Sequence, residues 1–387
     1  MAIYLVMLMC VMNHAAFSGS RVAISLYALK LGADPLTIGV LVALYAICPM
    51  LLAVWIGKLA DRVGPRLPIL IGTAGIGAAL LVTPFFPSLG ILFGVALAIG
   101  TAFHFFFVTV TGMTGAIGGP EQRVRNYAIV SLGFSGAGFL GPMTAGFSID
   151  HLGHLPTFFV LAAFTLVPLA LVCLRPDFLP AAAKIETTAE KRNIRDLWRI
   201  PALRNTFITS GFIASGFDLF QFYLPIYGHA VGLSASAIGV VMGFFALATF
   251  LIRVALPRLI KRSSEAEILT YAIFFAAFVS LFFPFFRSAA PLAVVAFLLG
   301  LGLGCGQPMS LSLIYALSPP GRASESAGLR VMANNFTHLV IPLCFGAIGS
   351  AFGFFPVFFS NAAMLSAGGL LMRSQRRPVT PSTPPGR

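Results

Sequence analysis

Residues 57–66, with the sequence GKLADRVGPR, decide how this chain folds. They place several charges between an apolar run that ends at Ile56 and another that begins at Leu67. A charged side chain in the middle of a bilayer costs at least about 2.5–3.5 kcal/mol, so such a stretch has to lie in water. We therefore predict a polar turn that joins two membrane-spanning segments.

The composition of the whole chain also indicates a membrane protein. Its 387 residues are 58% hydrophobic and only 10% charged, and the mean hydropathy is +0.93. Soluble domains carry far more charge. A spanning helix needs about 20 apolar residues, which leaves room for about twelve spans. The apolar runs show no two-residue alternation, which favours helices over the strands of a barrel.

The apolar runs predict twelve spans in two groups. In chain order the predicted spans are 3–30, 36–56, 67–87, 89–117, 125–150, 155–174, 203–230, 235–257, 267–287, 291–317, 324–352 and 354–373. Residues 1–174 form the first predicted bundle and residues 203–373 the second. Residues 175–202 are expected to be a cytoplasmic linker with a short surface helix near 194–200. The tail, residues 374–387, is rich in Pro, Thr and Arg and is expected to be disordered.

The positive charges are distributed unevenly between the predicted loops. Of the 25 Lys and Arg residues, only Lys30 and Arg287 fall in loops on one side, while Arg21 and Arg253 fall within spans. We assign all the others, Arg330 included, to the opposite side. The positive-inside rule then places both termini in the cytoplasm. We also expect the protein to lie in the inner membrane of a bacterial cell. The same distribution argues against nucleic acid as the partner that a net charge of +13 would otherwise suggest.

The chain lacks the patterns of metal sites and of the common enzyme classes. All five cysteines fall in apolar runs without a CxxC spacing, so we expect buried thiols and no metal. The first span begins at once, without a basic leader, and we expect it to be retained rather than cleaved. There is no HExxH or GxGD motif and no GxxxxGK[ST] loop, so we expect neither an enzyme, nor a cofactor, nor direct use of ATP.

The two predicted bundles repeat each other at a constant offset of 200 residues. The matches include Tyr27 with Tyr227, residues 38–40 with 238–240, residues 84–86 with 284–286, Pro142 with Pro342 and Gly146 with Gly346. Such a repeat predicts two six-helix bundles related by a pseudo-two-fold axis along the membrane normal. A binding site is then expected between the bundles, near the middle of the membrane.

The stretch at 57–66 resembles the signature loop between helices 2 and 3 of the major facilitator superfamily, G-x-L-A-D-R-x-G-R-K. The matching residues are Gly57, Leu59, Ala60, Asp61, Arg62, Gly64 and Arg66. Pro65 departs from the pattern. The resemblance covers almost the whole chain and implies an all-α integral membrane transporter that works by alternating access. It further implies that Asp61 meets the helix that starts near Ser324 and latches the bundles in one state; the alternative is a solvated turn.

A second resemblance concerns the fifth predicted span. Residues 137–146 are similar to the helix-5 motif of drug/proton antiporters, G-x-x-x-G-P-x-x-G-G, although two of its glycines are Ala137 and Ala145 here. The glycine–proline core consists of Gly141, Pro142 and Gly146. General packing of small residues is the alternative. The arginine of the antiporter helix-4 motif is missing, since Ala96 stands in its place, which departs from the standard coupling scheme of that group.

Polar residues within the spans indicate the transport site. His14, Ser18, Arg21 and Ser25 recur at helical spacing and form one polar stripe on the first span. Asp218 is the only acidic residue deep in a span, and its repeat mate is Ser18. The polar stripe on the first span and the polar residues around Asp218 on the seventh span should face each other across the central cavity. We predict proton coupling at Asp218, Arg21 and His104, with a permanent Asp218–Arg21 structural pair as the alternative.

The same reasoning gives a wider set of candidate cavity residues. These are Asn13, His14, Ser18, Arg21, Ser25, His104, Gln221, Gln307, Asn334, Asn335 and His338. Arg253 lies near the cytoplasmic end of the eighth span and is expected instead to extend to the membrane surface or to pair with another group there.

The function that these patterns favour is proton-coupled export of a small, partly apolar compound. The alternative is uptake of a small organic anion or metabolite with Arg21 as the anion anchor, and a non-transporting sensor with the same fold stays open. The expected partners are the lipid bilayer, protons and a small-molecule substrate, and we expect a monomer.

Overall fold

The described part of the chain is entirely helical. The computed structural model describes residues 2–115, 117–118, 122–175, 178–179, 195–261, 263–319 and 322–373, in which no strand occurs. The side chains of Asp61 and Ser324 lie outside the described residues, so the predicted latch between them stays a prediction. Most of the predicted linker and the tail from residue 374 also lie outside them.

The first bundle contains six spans. Its helices are α1 (Ala2–Lys30), α2 (Pro35–Val63), α3 (Arg66–Phe85), α4 (Leu89–Thr114), α5 (Arg123–Leu152), α6 (His154–Ala163) and α7 (Leu166–Leu174). The last two helices form one span that is interrupted at Phe164 and Thr165. There the Thr165 hydroxyl donates to the carbonyl of Ala162 at 2.7 Å, a side-chain bond of the kind that competes with the helical ladder.

The second bundle repeats this arrangement after a short surface helix. Its helices are α8 (Arg195–Arg199), α9 (Pro201–Ala230), α10 (Ala235–Leu259), α11 (Glu265–Ser280), α12 (Ala289–Gly304), α13 (Gly306–Leu317), α14 (Ala323–Phe352) and α15 (Phe354–Arg373). The span made by α12 and α13 is broken at Cys305. Eleven spans in the described residues are long and apolar enough to cross a membrane. The twelfth, α9, has 30 residues and is less apolar because it carries Asp218 and other polar residues. The predicted twelve-helix fold is confirmed.

Equivalent helices of the two bundles begin with equivalent caps. The Asp34 carboxylate accepts the backbone N–H of Thr37 at 2.9 Å at the start of α2. At the start of α10, the Ser234 hydroxyl accepts the N–H of Ala237 at 3.2 Å. Because such caps satisfy donors that have no partner within the helix, they fix where each helix begins.

The charged stretch at 57–66 is mostly helical, which corrects the predicted turn. Helix α2 continues through it to Val63, and only Gly64 and Pro65 separate α2 from α3. Lys, Leu, Ala and Arg are strong helix formers, which explains why the helix extends beyond the apolar run. Gly64 ends α2 with a φ of 80°, a conformation that glycine adopts without the penalty of a Cβ atom.

Two close helix crossings join the bundles at the end opposite the chain termini. A Cβ atom on Gly239 of α10 would lie 2.7 Å from the carbonyl oxygen of Pro142 in α5. In the symmetric crossing, a Cβ atom on Gly346 of α14 would lie 2.9 Å from the carbonyl oxygen of Pro35 in α2. Only glycine permits such approaches, so these glycines hold the backbones of the two bundles in direct contact.

Candidate functional site

An ionic cluster lies between the bundles at the centre of the molecule. Arg21 of α1 places Nη2 3.8 Å from Oδ1 of Asp218 in α9. The other carboxylate oxygen of Asp218 contacts Nδ1 of His338 in α14. Asp218 is only 5% exposed, whereas 38% of the His338 side chain is exposed. One buried carboxylate is therefore held by a cation from the opposite bundle and by an imidazole from its own bundle.

The two polar stripes meet through a pair of repeat mates. Nη1 of Arg21 donates to Oε1 of Gln221 at 3.2 Å, and these residues are separated by the repeat offset of 200. The predicted stripes on α1 and α9 therefore face each other. Arg21 forms an ion pair with Asp218 and a hydrogen bond with Gln221, so separating the bundles would break both contacts together.

A cavity of about 150 Å³ lies beside this cluster, where α5 and α10 meet. Its polar lining consists of His14, Ser18, Ser135, Gln221, Thr249 and Arg253. Its apolar lining includes Phe134, Phe217, Phe220, Met242, Phe245 and Ala246. The cavity thus combines an aromatic wall with a few hydrogen-bonding groups, as small-molecule sites do.

Arg253 reaches across the boundary between the bundles into this cavity and is hydrogen-bonded there; of the two predicted alternatives, extension to the membrane surface is not what the structure shows. Its Nη1 donates to the Ser135 hydroxyl of α5 at 2.7 Å, and its Nε lies 3.5 Å from the carbonyl of Gly304. Met242, Ala246, Thr249 and Arg253 have the spacing of the stripe on α1, but two of the four residues are apolar, so the spacing alone does not mark a polar stripe.

A second polar cluster lies inside the C-terminal bundle, nearer the chain termini. Nη1 of Arg330 donates to Oε1 of Gln307 at 2.8 Å and to the hydroxyl of Ser210 at 3.3 Å. Ser210 in turn donates to Oδ1 of Asn334 at 3.1 Å. Gln307 and Asn334 therefore lie with Arg330 rather than with Asp218. Arg330 is only 8% exposed, which corrects its assignment to a cytoplasmic loop.

Two other predicted cavity residues, Asn13 and His14, lie in different environments. Asn13 points into the N-terminal bundle and donates to the hydroxyl of Thr73 at 3.0 Å, away from the cavity. His14 lies among Phe17, Phe103 and Phe134 at ring-centre distances of 5.7, 5.3 and 5.2 Å.

The remaining candidate residues are Ser18, Ser25, Asn335 and His104. The Ser18 hydroxyl donates to the carbonyl of Ala137 in α5 at 3.3 Å. Ser25 is buried in α1, and Asn335 is half-buried on α14. His104 of α4 is half-buried, and its ring centre lies 6.0 Å from that of Phe107.

The small residues of α5 bring that helix against both neighbours. A Cβ atom on Gly141 would lie 2.8 Å from the backbone nitrogen of Gly19 in α1. Gly146 would clash in the same way with the carbonyl of Ala235 in α10. The glycine–proline segment thus packs at the interface between the bundles, where close contact requires the absence of side chains.

Side chains of each bundle also cap a helix of the other, at the end opposite the termini. The Asp150 carboxylate of α5 accepts the backbone N–H groups of Ala235 and Ser236 at 3.1 and 2.7 Å. Its repeat mate, Ser350, accepts the N–H of Leu36 at 3.0 Å and donates to Asp34 at 3.2 Å. Hydrogen bonds from Thr37 hold the pKa of Asp34 below its ordinary value. The bundles are therefore bonded together at this end.

The α2–α14 interface differs from its α5–α10 counterpart toward the termini. It contains an apolar groove of about 850 Å³, whose lining includes Leu51 of α2, Trp198 of α8 and Phe336 of α14. In the sequence, the repeat mate of Arg253 is Ala53, so the arginine itself is not repeated in α2.

Two pseudo-symmetric helical bundles with buried ionic groups at their interface define a multi-pass membrane transporter. The model of the Major Facilitator Superfamily matches residues 6–337, so the chain belongs to this family. Multidrug resistance protein MdtG of Escherichia fergusonii is 25% identical over 382 residues, covering 92% of this chain and 90% of that protein. MdtG of Escherichia coli K12 is 24% identical over the same length.

Solved transporter structures share the fold. A variant of the nucleoside transporter NupG superposes with a TM-score of 0.83 at 12% identity, covering 97% of this chain and all of that one. A peptide transporter, POT, superposes with a TM-score of 0.80 at 16% identity, covering 96% and 93% of the two chains. At such identities the likeness concerns the fold alone.

Proposed function

We propose that this protein exports a small, partly apolar compound across the bacterial inner membrane in exchange for protons. Both termini would lie in the cytoplasm. The observation that carries the proposal is the position of Asp218, which is held by Arg21 of one bundle and by His338 of the other. The resemblance to the MdtG proteins, named for multidrug resistance, supports the direction of transport.

The coupling step follows from the geometry of this cluster. In the present arrangement Arg21 compensates the charge of Asp218 across the interface. When the bundles rock apart, Arg21 moves away with α1, and the carboxylate is left in a site of low polarity. A buried carboxylate that loses its cation binds a proton more readily, because burial disfavours the charged form. Return of Arg21 would release that proton on the other side.

His338 offers a route for the proton. Its ring contacts Asp218, and more than a third of its side chain is exposed. An imidazole can both accept and donate a proton, so it suits a relay between water and a buried carboxylate. The aromatic wall of the neighbouring cavity suits the apolar part of a substrate.

The proposal is tested by proton flux in everted membrane vesicles. The vesicles are acidified inside, a panel of cationic, neutral and anionic compounds is added, and the pH gradient is followed by fluorescence. We expect at least one compound to discharge the gradient with the wild type and not with Asp218→Asn. Asp196→Asn is the matched control, because it makes the same change at an exposed position on α8.

The outcomes separate the alternatives. Equal responses of the wild type and Asp218→Asn would exclude Asp218 as the coupling residue. If no compound discharges the gradient, antiport is wrong, and uptake of an organic anion becomes the function to test with Arg21→Gln. That second candidate is favoured by the arginines that line the interface between the bundles.

A further inference from the structure

The cavity between α5 and α10 contains a cation, Arg253, for which the described part of the chain supplies no acidic partner. Among the described residues, no carboxylate lies within ion-pair distance of Arg253. Its hydrogen bonds to Ser135 and Gly304 leave most of its N–H donors without a protein partner. A buried charge without a counter-ion is costly, and in membrane proteins such charges mark substrate pathways.

The surroundings of Arg253 are arranged to hold it in place. Ser135 accepts from Arg253 and donates its own proton to the carbonyl of Ser131 at 3.1 Å, so its orientation is fixed. Thr249, one turn before Arg253, donates to the carbonyl of Phe245 at 3.0 Å. The guanidinium is therefore held by a hydroxyl that is itself hydrogen-bonded, and its planar fork of N–H donors matches a carboxylate or phosphonate.

The rest of the cavity fits an apolar group of limited size. Phe134, Phe217 and Phe245 line it on three different helices, α5, α9 and α10. Its volume of about 150 Å³ is that of a cavity which holds a benzene-sized molecule. No acidic side chain lines this cavity in the described part of the chain, so nothing there repels an anion.

We propose that Arg253 and Ser135 form an anion-binding subsite and that the transported compound is an amphipathic organic anion. Its carboxylate or phosphonate binds Arg253, and its apolar part, about the size of a benzene ring, packs against Phe134, Phe217 and Phe245. This inference rests on the proposed transport function and names the substrate class of that same site. The ion pair of Asp218 with Arg21 stays available for the proton.

Binding to the purified full-length protein in lipid nanodiscs tests this subsite. The probes are benzoate and phenylphosphonate, with benzamide as the neutral counterpart of benzoate. We expect both anions to bind at least about tenfold more tightly than benzamide, since a hydrogen bond to a charged group has this effect. Arg253→Gln should remove that preference, and Arg253→Lys should restore part of it.

The controls keep the result interpretable. Arg258→Gln removes the same charge from an exposed position on the same helix and should bind benzoate as the wild type does. Ala246→Leu fills part of the cavity without changing its charge and should weaken benzoate binding. Thermal unfolding of each variant shows whether it is folded. If Arg253→Gln proves unfolded, Ser135→Ala and Ala246→Leu carry the test.

The outcomes distinguish this inference from the proposed function. Equal affinity for benzoate and benzamide, or equal benzoate affinity of Arg253→Gln and Arg258→Gln, would overturn the anion subsite whatever the proton assay shows. Benzoate binding without any proton flux would overturn the coupling and leave the subsite standing.

Discussion

At the scale of residues, the ionic cluster was accessible from sequence and the cavity arginine was not. Asp218 stood out because acidic residues are rare in spans, and the repeat paired its helix with the stripe on α1. Arg253 is equally unusual in composition. Its direction depends on the rotation of α10 about its own axis and on the reach of a long side chain. Neither property is encoded in the spacing of one helix.

Arg330 is a second charged residue whose position the sequence does not predict. It lies near the predicted end of a span, where a charged residue is normally exposed to water. The structure buries it because Ser210, Ser310 and Gln307 from two other helices supply its hydrogen bonds. Partners contributed by distant segments cannot be recognised from the local sequence.

The cap formed by Asp34 gives a prediction about pH. Its pKa is lowered from 3.8, so its contribution to stability is complete above that value and is lost only as the pH falls further. Asp34→Ala should lower the free energy of unfolding by about 0.5–2 kcal/mol, by the same amount at pH 5 and pH 8. The difference from the wild type should shrink below about pH 4.

Denaturation of the purified protein across this pH range checks the prediction. Asp34→Asn is the matched variant, because asparagine caps a helix nearly as well as aspartate but does not titrate. A difference between the wild type and Asp34→Ala that changes between pH 5 and pH 8 would contradict the prediction.

At the scale of elements, the apolar runs locate nearly every helix and the repeat relates the two bundles, while the interruptions within spans are not predicted. The breaks at Thr165 and Cys305 depend on side-chain hydrogen bonds and on close glycine contacts that hydropathy does not register. The charged stretch at 57–66 was taken for a turn because its charges ended the apolar run. Polarity marks where a helix leaves the membrane, whereas the helix itself ended only at Gly64.

The cross-bundle caps give a prediction at this scale. Asp150 bonds to two backbone N–H groups at the start of α10, and opening this end would expose them without that partner. Asp150→Ala should therefore raise the ratio of open to closed molecules by about fivefold, for a cap worth about 1 kcal/mol. Spin labels at Leu31 and Ala230, in a cysteine-free background, would report the distance between the bundles.

The control for this measurement is Asp196→Ala, which removes a carboxylate from α8 far from the labelled end. It should leave the distance distribution unchanged. If Asp150→Ala and the wild type give the same distribution, the cap does not hold this end closed.

At the scale of the whole molecule, the proposed exchange moves net charge. A proton that enters brings in one positive charge, and an anion that leaves removes one negative charge. Both movements make the inside more positive. An inside-negative potential therefore drives the cycle, by about 2.3 kcal/mol per charge for each 100 mV. In proteoliposomes with a valinomycin-imposed potassium potential, benzoate export should accelerate as the inside becomes more negative.

The charge dependence separates the two ions. Asp218→Asn removes the proposed proton carrier, so any benzoate flux that remains should depend less steeply on the potential than flux by the wild type. A wild-type rate that is indifferent to the potential would contradict net charge movement.

The glycine crossings lie at one end of the molecule, and a tilt of one bundle against the other would pivot there. Helix α2 has 29 residues, and Gly39 touches α14 within its first two turns. At about 1.5 Å per residue, Val63 lies about 36 Å beyond that contact. A tilt of about 10° around the crossing would displace the far end of α2 by about 6 Å. A methyl group added at Gly39 would tilt α2, and the opposite end of the helix would therefore move farther than the contact itself.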